Sequence, residues 1–358
     1  MARPSSSSVS RSSRKAAPRG RSNKPPGRKT PKKPPPTTPA LDLPPKGSAT
    51  LRITGHDGET REVPVTNLEK PFWPELGLTK RDLLQYYADV APVLLPHVLD
   101  RAMVMKRYPD GWRGKHFFMK RTPQHAPDWL LTCAIEHASG SVIDFPVVDG
   151  LAALLWIVNL GCIDLNPWYA RCDDVNRPDF LHFDLDPPKE EPVDFRQVRE
   201  AAVVVRDGLK ELGIKCYPKT TGSRGIHLYV PIRRGPVQKQ VWSFAKVFAL
   251  AIAQRHPQLL TAEYRIARRP AARVVVDYNQ NAWGRTLASV YSVRPRPEAT
   301  VSAPVTWEEV EGGISTTDFH VGNMKRRIER VGDLWAPLAD RSGGIELEDY
   351  LEGVRGRA

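Results

Sequence analysis

Apolar and polar residues alternate through Leu181-His182-Phe183-Asp184-Leu185-Asp186, and two prolines, Pro187-Pro188, follow. A period of two predicts a strand with one apolar face and one polar face, ended by the prolines. Asp184 and Asp186 then point to the same side, roughly 7 Å apart along the strand. Similar patterns predict strands at Leu51-Ile53 and Glu62-Val65, paired around the turn His56-Asp57-Gly58. Others are expected at Met103-Arg107, His116-Lys120, Ser141-Val148, Ile163-Leu165, Ile214-Pro218, Ile226-Ile232, Arg273-Asp277 and Leu287-Val293. Helical spacing begins after Thr79, a plausible N-cap, with Leu83, Leu84, Tyr87, Val90 and Leu94 as the apolar stripe. It recurs over Leu151-Leu160, Val193-Leu212, Gln238-Gln254 and Val321-Arg330, with Gly161 and Gly213 as stops for the first two. Strands and helices mix without strict alternation, which argues an α+β class.

Composition divides the chain unevenly. Residues 1–50 hold 12 Lys and Arg, one acid and eleven prolines, whereas the other 308 residues carry a net charge of only +2 of the total +13. The predicted organisation is therefore a disordered basic Pro/Ser-rich tail over 1–46, a folded body over 47–340 and a C-terminal tail over 341–358. The tail suits phosphate backbones, or serves only as a solubilising extension. The four cysteines form no C-x-x-C pair and no zinc-type spacing, consistent with reduced thiols in a cytosolic protein. No apolar run is long enough for a membrane span, so no membrane partner is expected.

Two carboxylates on one strand face repel each other unless a cation lies between them. Divalent metal is the economical occupant, although two ordinary acids on a wet strand face would give the same pattern. Three other patches bear on this pair. Lys219-Thr220-Thr221-Gly222-Ser223-Arg224-Gly225-Ile226-His227 gathers glycines, hydroxyls and cations suited to an anion such as a nucleotide phosphate, or forms a glycine hairpin with a basic tip. Val274-Val275-Val276-Asp277-Tyr278-Asn279-Gln280-Asn281 is an apolar run ending in a third acid, with Arg285, Arg294 and Arg296 downstream to hold a polyphosphate. His116-Phe117-Phe118-Met119-Lys120-Arg121 sets adjacent aromatics among cations, as base stacking beside phosphates requires. Strand alternation predicts that one of the two phenylalanines faces the core.

In this order, the three acid- and glycine-bearing motifs resemble those of the archaeo-eukaryotic primase superfamily. More closely they resemble the polymerase domain of bacterial DNA ligase D and its stand-alone primase-polymerase relatives. The resemblance spans about residues 60–310 and includes Thr66-Asn67, Lys70 to Lys80, Lys106-Arg107-Tyr108-Pro109 and Phe117-Phe118. It implies mixed and antiparallel sheets flanked by helices, and a template-dependent nucleotidyl transferase of DNA repair, gap filling or end joining. By motif position, Asp184, Asp186 and Asp277 would bind two Mg²⁺ or Mn²⁺ ions. Thr221, Ser223, Arg224, His227, Arg294 and Asn166 would meet the incoming NTP or dNTP. Lys70 and Lys80 fall where the family grips a downstream 5′-phosphate, and Lys106, Phe117, Phe118 and Lys120 accompany template DNA. Asn166 stands where ligase D domains usually carry histidine near the sugar, so the resemblance leaves open whether ribo- or deoxyribonucleotides are preferred.

The implied partners are gapped, nicked or broken DNA and Ku. The chain ends without a Lys-x-Asp-Gly ligase motif, so a separate ATP-dependent ligase is expected to seal. The expected location is the bacterial cytoplasm at the nucleoid. A non-catalytic DNA-end-binding module would show binding without incorporation, and a two-metal nuclease would leave the phosphate-type loop unexplained.

Overall fold

The computed structural model describes residues 41–137, 139–187, 194–340 and 343–355. Residues 1–40 of the tail expected over 1–46 lie outside them, as do Pro188 and the start of the helix expected from Val193.

Strands β1 (Ala49–Thr54) and β2 (Thr60–Val65) form the expected antiparallel hairpin. Short strands β3 (Pro71–Trp73) and β4 (Leu78–Thr79) lead into helix α1 (Lys80–Val98). Thr79 caps α1 through a reciprocal box with Asp82, an arrangement worth about 1 kcal/mol, and the whole predicted stripe is buried. Then come β5 (Met103–Arg107), β6 (Phe117–Met119), β7 (Thr132–Glu136), β8 (Val142–Pro146), α2 (Leu151–Asn159) and β9 (Cys162–Pro167). The order β6-β5-β9 makes a three-stranded sheet, and β7-β8 a separate hairpin.

Strand β10 (Phe180–Asp186), helix α3 (Phe195–Glu211), β11 (Tyr217–Thr220), β12 (Ile226–Pro231), α4 (Gln238–Arg255), β13 (Leu260–Thr261) and β14 (Val274–Asp277) build the larger sheet. Its order is β11-β12-β10-β14-β13, antiparallel except for the β13–β14 pair. Leu181, Phe183 and Leu185 are fully buried on the face covered by α3 and α4. The alternation in β10 thus becomes a core face and a polar face, as expected.

The chain closes through α5 (Trp307–Gly312), α6 (Met324–Val331), α7 (Ala336–Ala339) and α8 (Glu348–Arg355). The expected C-terminal tail is therefore packed over its described part: Leu347 and Leu351 are buried, and the Ile345 amide donates to the Pro231 carbonyl. At the other end order reaches at least to Leu41, because Leu43 is buried and its carbonyl accepts from Arg81 Nε.

Two strand expectations are corrected. The strand expected over Ile214-Pro218 runs over Tyr217–Thr220, since Thr220 pairs with Ile226 and Lys219 with His227. The apolar run Leu287-Val293 is buried from Ala288 onward but is not a strand. Tyr291 adopts a left-handed conformation, φ 61°, that breaks any extended run. The segment bridges the two sheets instead: Ser289 N donates to Leu165 O in β9, and Ala288 O accepts from Lys219 Nζ in β11.

Candidate active site

Register assembles one row across the polar face of the larger sheet. Lys219 pairs with His227, His227 with Asp184, and Asp184 with Asp277. Directly paired residues point to the same side of a sheet, so four strands present these polar side chains in line. Asp186 lies two residues beyond Asp184, at the rim beside the Thr221–Gly225 loop.

Asp184 is buried, and its Oδ1 has no hydrogen-bond partner although His227 Nε2 stands 3.2 Å away. Burial first, then repulsion from Asp277, pushes its carboxyl up to about 7. Asp186 rises likewise to about 7, through burial and then the Asp184 charge. Asp277 is held by its own turn, its oxygens accepting from Asn279 N at 2.8 Å and Gln280 Nε2 at 3.1 Å. An orphaned carboxylate oxygen, with two carboxyls destabilised by burial and by each other, fits a divalent cation. The acids line a strand face and do not close into a preformed cage: among the described residues no group of three His, Cys, Asp or Glu stands at metal-binding spacing.

His227 is buried with its ring driven well below its ordinary value by burial, then by the Lys219 and Arg294 charges. Lys219, expected among the loop's cations for an anion, is instead fully buried in β11. Its Nζ donates to Ala288 O and Ser302 Oγ at 3.0 and 2.5 Å. The signal was present: Lys219 follows Tyr217 at strand spacing and so falls on the polar face.

The Thr221–Gly225 loop is tied from within. The buried Thr221 Oγ1 accepts from the amides of Ser223, Arg224 and Gly225 at 3.1–3.2 Å. These amides thus face the threonine, so the loop's offering to an anion is carried by side chains. Gly222 has φ 63°, and a Cβ there would stand 2.8 Å from Val301 O. A Cβ on Gly225 would collide with Asp186 Oδ1 and Leu185 O, so glycine lets the loop lie directly against the acid. Arg294 Nη1 donates to Thr221 O at 2.8 Å, Arg296 Nη2 donates to Ser223 Oγ, and Arg224 Nη2 donates to Pro187 O at 3.3 Å. Arg285 lies apart, lining a small cavity with His97, Arg101 and His182.

The three-stranded sheet supplies the second half of the site. Phe118, Lys106 and Asp164 pair in a row across β6, β5 and β9. Asp164, another residue the sequence did not single out, is buried between Lys106 Nζ at 3.8 Å and Arg294 Nε at 3.6 Å. Asn166 Nδ2 donates to Asp164 O and Oδ1 at 3.1 and 3.3 Å, which orients the amide beside Arg294's partner. Phe117 and Phe118 are 42% and 60% exposed, so neither faces the core. The expectation fails because three-residue β6 is a sheet edge, with Arg107 stacked on Phe117 and Lys106 on Phe118 in place of a core. Lys120 is exposed just beyond β6.

A separate basic pocket is lined by Thr66, Asn67, Lys70, Lys80, Arg107 and Gly161. Lys80 Nζ donates to Thr66 O at 2.7 Å, and Lys70 Nζ to Asp110 Oδ1 at 2.8 Å. Burial first, then the Lys70 and Arg107 charges, pushes the Lys80 ammonium down to about 8. Arg107 here is a further cation that sequence reasoning did not assign.

Residues 79–335 match the family described as LigD, primase-polymerase domain. The chain is 34% identical over 295 residues to the multifunctional non-homologous end joining DNA repair protein LigD of Mycobacterium tuberculosis, covering 78% of this chain and 38% of that protein. It is 31% identical over 271 residues to the bifunctional non-homologous end joining protein LigD of Bacillus subtilis, covering 75% and 42%. The chain thus spans well under half the length of these curated relatives. Among solved structures it is similar to the polymerase domain of Mycobacterium tuberculosis ligase D in complex with DNA, with a TM-score of 0.72 and 33% identity over 77% of this chain and 97% of that one.

Proposed function

The chain belongs to the LigD primase-polymerase domain family, and from that premise we propose that it is a template-dependent nucleotidyl transferase of DNA break repair. The observation that carries this reading is the register of β10, which sets Asp184 opposite both His227 and Asp277 beside the arginine-clamped loop. Asp184, Asp186 and Asp277 would hold two Mn²⁺ or Mg²⁺ ions, which supply activation of a primer 3′-OH and neutralise charge on the triphosphate and departing pyrophosphate.

Ser223, Arg224, Arg294 and Arg296 face the incoming nucleotide's phosphates. Thr221 acts by fixing the loop, and His227 by standing against Asp184. Asn166 orients beside the sugar. Phe117 and Phe118 stack on template bases, with Lys106 and Lys120 beside the phosphates. Lys70 and Lys80, with Arg107, take a downstream 5′-phosphate, whose charge favours protonated Lys80. The substrate is thereby gapped, nicked or broken DNA. An ATP-dependent ligase activity seals the product, a Ku-type protein holds the ends, and the protein works at the nucleoid of the bacterial cytoplasm.

Incorporation of labelled ATP against dATP on a gapped duplex, with and without the 5′-phosphate, in Mn²⁺ and in Mg²⁺, tests this. Templated addition that is stronger with the 5′-phosphate is expected. Tight DNA binding with no addition in either metal would overturn it in favour of an end-binding module.

A further inference from the structure

Asn281 is fully buried, yet all its side-chain hydrogen-bonding groups are used. Strand β14 ends at Asp277, and the β10–β14 register ends with the pair Asp184↔Asp277. Beyond that point β10 still presents the amide and carbonyl of His182. Asn281 takes both: its Oδ1 accepts from His182 N at 3.0 Å, and its Nδ2 donates to His182 O at 2.7 Å. A side-chain amide carries the same donor and acceptor as a peptide group. Asn281 therefore continues the ladder after the backbone of β14 has turned away.

The same residue closes the turn that holds Asp277. Its Nδ2 also donates to Tyr278 O at 2.9 Å, and its N–H donates to the same carbonyl. Its own carbonyl accepts from Tyr169 Oη and Gln238 Nε2, each at 2.7 Å. Asp277 thus sits between two attachments to β10, the paired backbone on one side and the Asn281 amide on the other. We infer that Asn281 is a positioning residue that keeps the Asp277 carboxylate in register with Asp184 and so sets the affinity of the site for its divalent cations. The inference rests on the metal-binding reading proposed above.

Mn²⁺ binding to the full chain, followed by loss of the free-ion EPR signal, tests it alongside the thermal midpoint. Asn281→Ser is expected to weaken Mn²⁺ binding about tenfold, as loss of a supporting outer residue does. Gapped-DNA affinity should stay unchanged, and incorporation should recover to within about threefold of wild type at saturating Mn²⁺, because the acids themselves remain. A folded Asn281→Ser protein that binds Mn²⁺ like wild type, whatever its thermal midpoint, would overturn the inference and leave a purely structural role. Should that variant not fold, Tyr169→Phe removes one anchor of Asn281 more gently. It is expected to weaken Mn²⁺ binding about two- to threefold, and wild-type affinity there would equally overturn the inference. Asp184→Asn separates the two levels. Wild-type Mn²⁺ binding in Asp184→Asn overturns the metal reading and this inference with it. Lost binding there, with intact binding in Asn281→Ser, overturns this inference alone.

Discussion

The larger sheet and the three-stranded sheet present two opposite solutions to carrying charge. On the larger sheet Lys219, His227 and Asp184 are buried in one row with Asp277, and Asp184 keeps an unpartnered oxygen. On the smaller sheet Phe117 and Phe118 stand in solvent over Arg107 and Lys106. A buried, destabilised acid is costly to keep unless it gains something on binding a cation. An exposed aromatic above a cation costs little and can meet a base without rearrangement. On the proposed function the first region does chemistry and the second grips, which predicts that the two can be damaged separately.

The largest separation is expected from Asp277→Asn. Incorporation should fall on the order of a thousandfold or more, with gapped-DNA affinity held within about twofold, as measured by single-turnover extension and fluorescence anisotropy. Comparable losses in both would erase the distinction between the regions. On the grip side, Lys80→Ala should cost about 10–30-fold in affinity for a gap bearing a 5′-phosphate and little for one lacking it. In the wild type that preference should decline as pH rises through about 8, where Lys80 loses its proton. A preference flat from pH 7 to 9 would remove Lys80 from the pocket's work.

Lys219→Met sharpens the comparison from within the buried row. It keeps the length of the side chain but releases Ala288 O and Ser302 Oγ, and with them the segment that carries Arg294 and Arg296. The nucleotide KM should rise about tenfold with kcat changed far less. A drop in kcat at unchanged KM would place Lys219 in the chemical step instead.

The smallest effect concerns pH and stability without metal. Burial and mutual repulsion push the Asp184 and Asp186 carboxyls up to about 7 in the folded protein, well above the ordinary carboxylate range. Groups raised in this way stabilise fully below the unfolded value, and that contribution is lost as pH rises through the folded one. His182 acts oppositely, because burial holds it down to about 3 and its stabilisation is lost as pH falls below 6.5. Between about pH 6.5 and 8 the acids lose stability as pH rises, while Lys219 and Lys80, held down by burial, act oppositely. The acids' share is isolated by the metal-free midpoint of wild type minus that of Asp184→Asn, which should fall by a few degrees across that window, and Mn²⁺ should stabilise wild type most at the high end. A difference that rises over the window, or Mn²⁺ stabilisation that is greatest at low pH, would contradict the assignment.

Much of this was legible in the residue pattern because the deciding forces are local. Alternation in Leu181–Asp186 and the stripe after Thr79 each set one face against the core, and both elements form as expected. The positions of Asp184, Asp186 and Asp277 on the polar side of strands were legible, since each alternates with or follows buried apolar neighbours. The run Leu287-Val293 misled because buried apolar residues look alike in a strand and in a bridge between sheets, and the left-handed Tyr291 is fixed by contacts far away in sequence. Tyr86 Oη donates to its carbonyl, and Tyr291 Oη donates to Asp333. Strand β7 was missed because Thr132–Glu136 has only Cys133 and Ile135 to mark its inner face. The row itself was not legible, because Lys219, His227, Asp184 and Asp277 meet only through strand register.

Asp184 holds the centre of that row, so one variant bears most directly on the whole account. Wild-type and Asp184→Ala proteins should be compared for templated incorporation on a 5′-phosphorylated gapped duplex in Mn²⁺, with DNA affinity measured on the same samples. Loss of incorporation with DNA affinity kept within about twofold is the predicted result. Metal-dependent extension that persists in Asp184→Ala would contradict it.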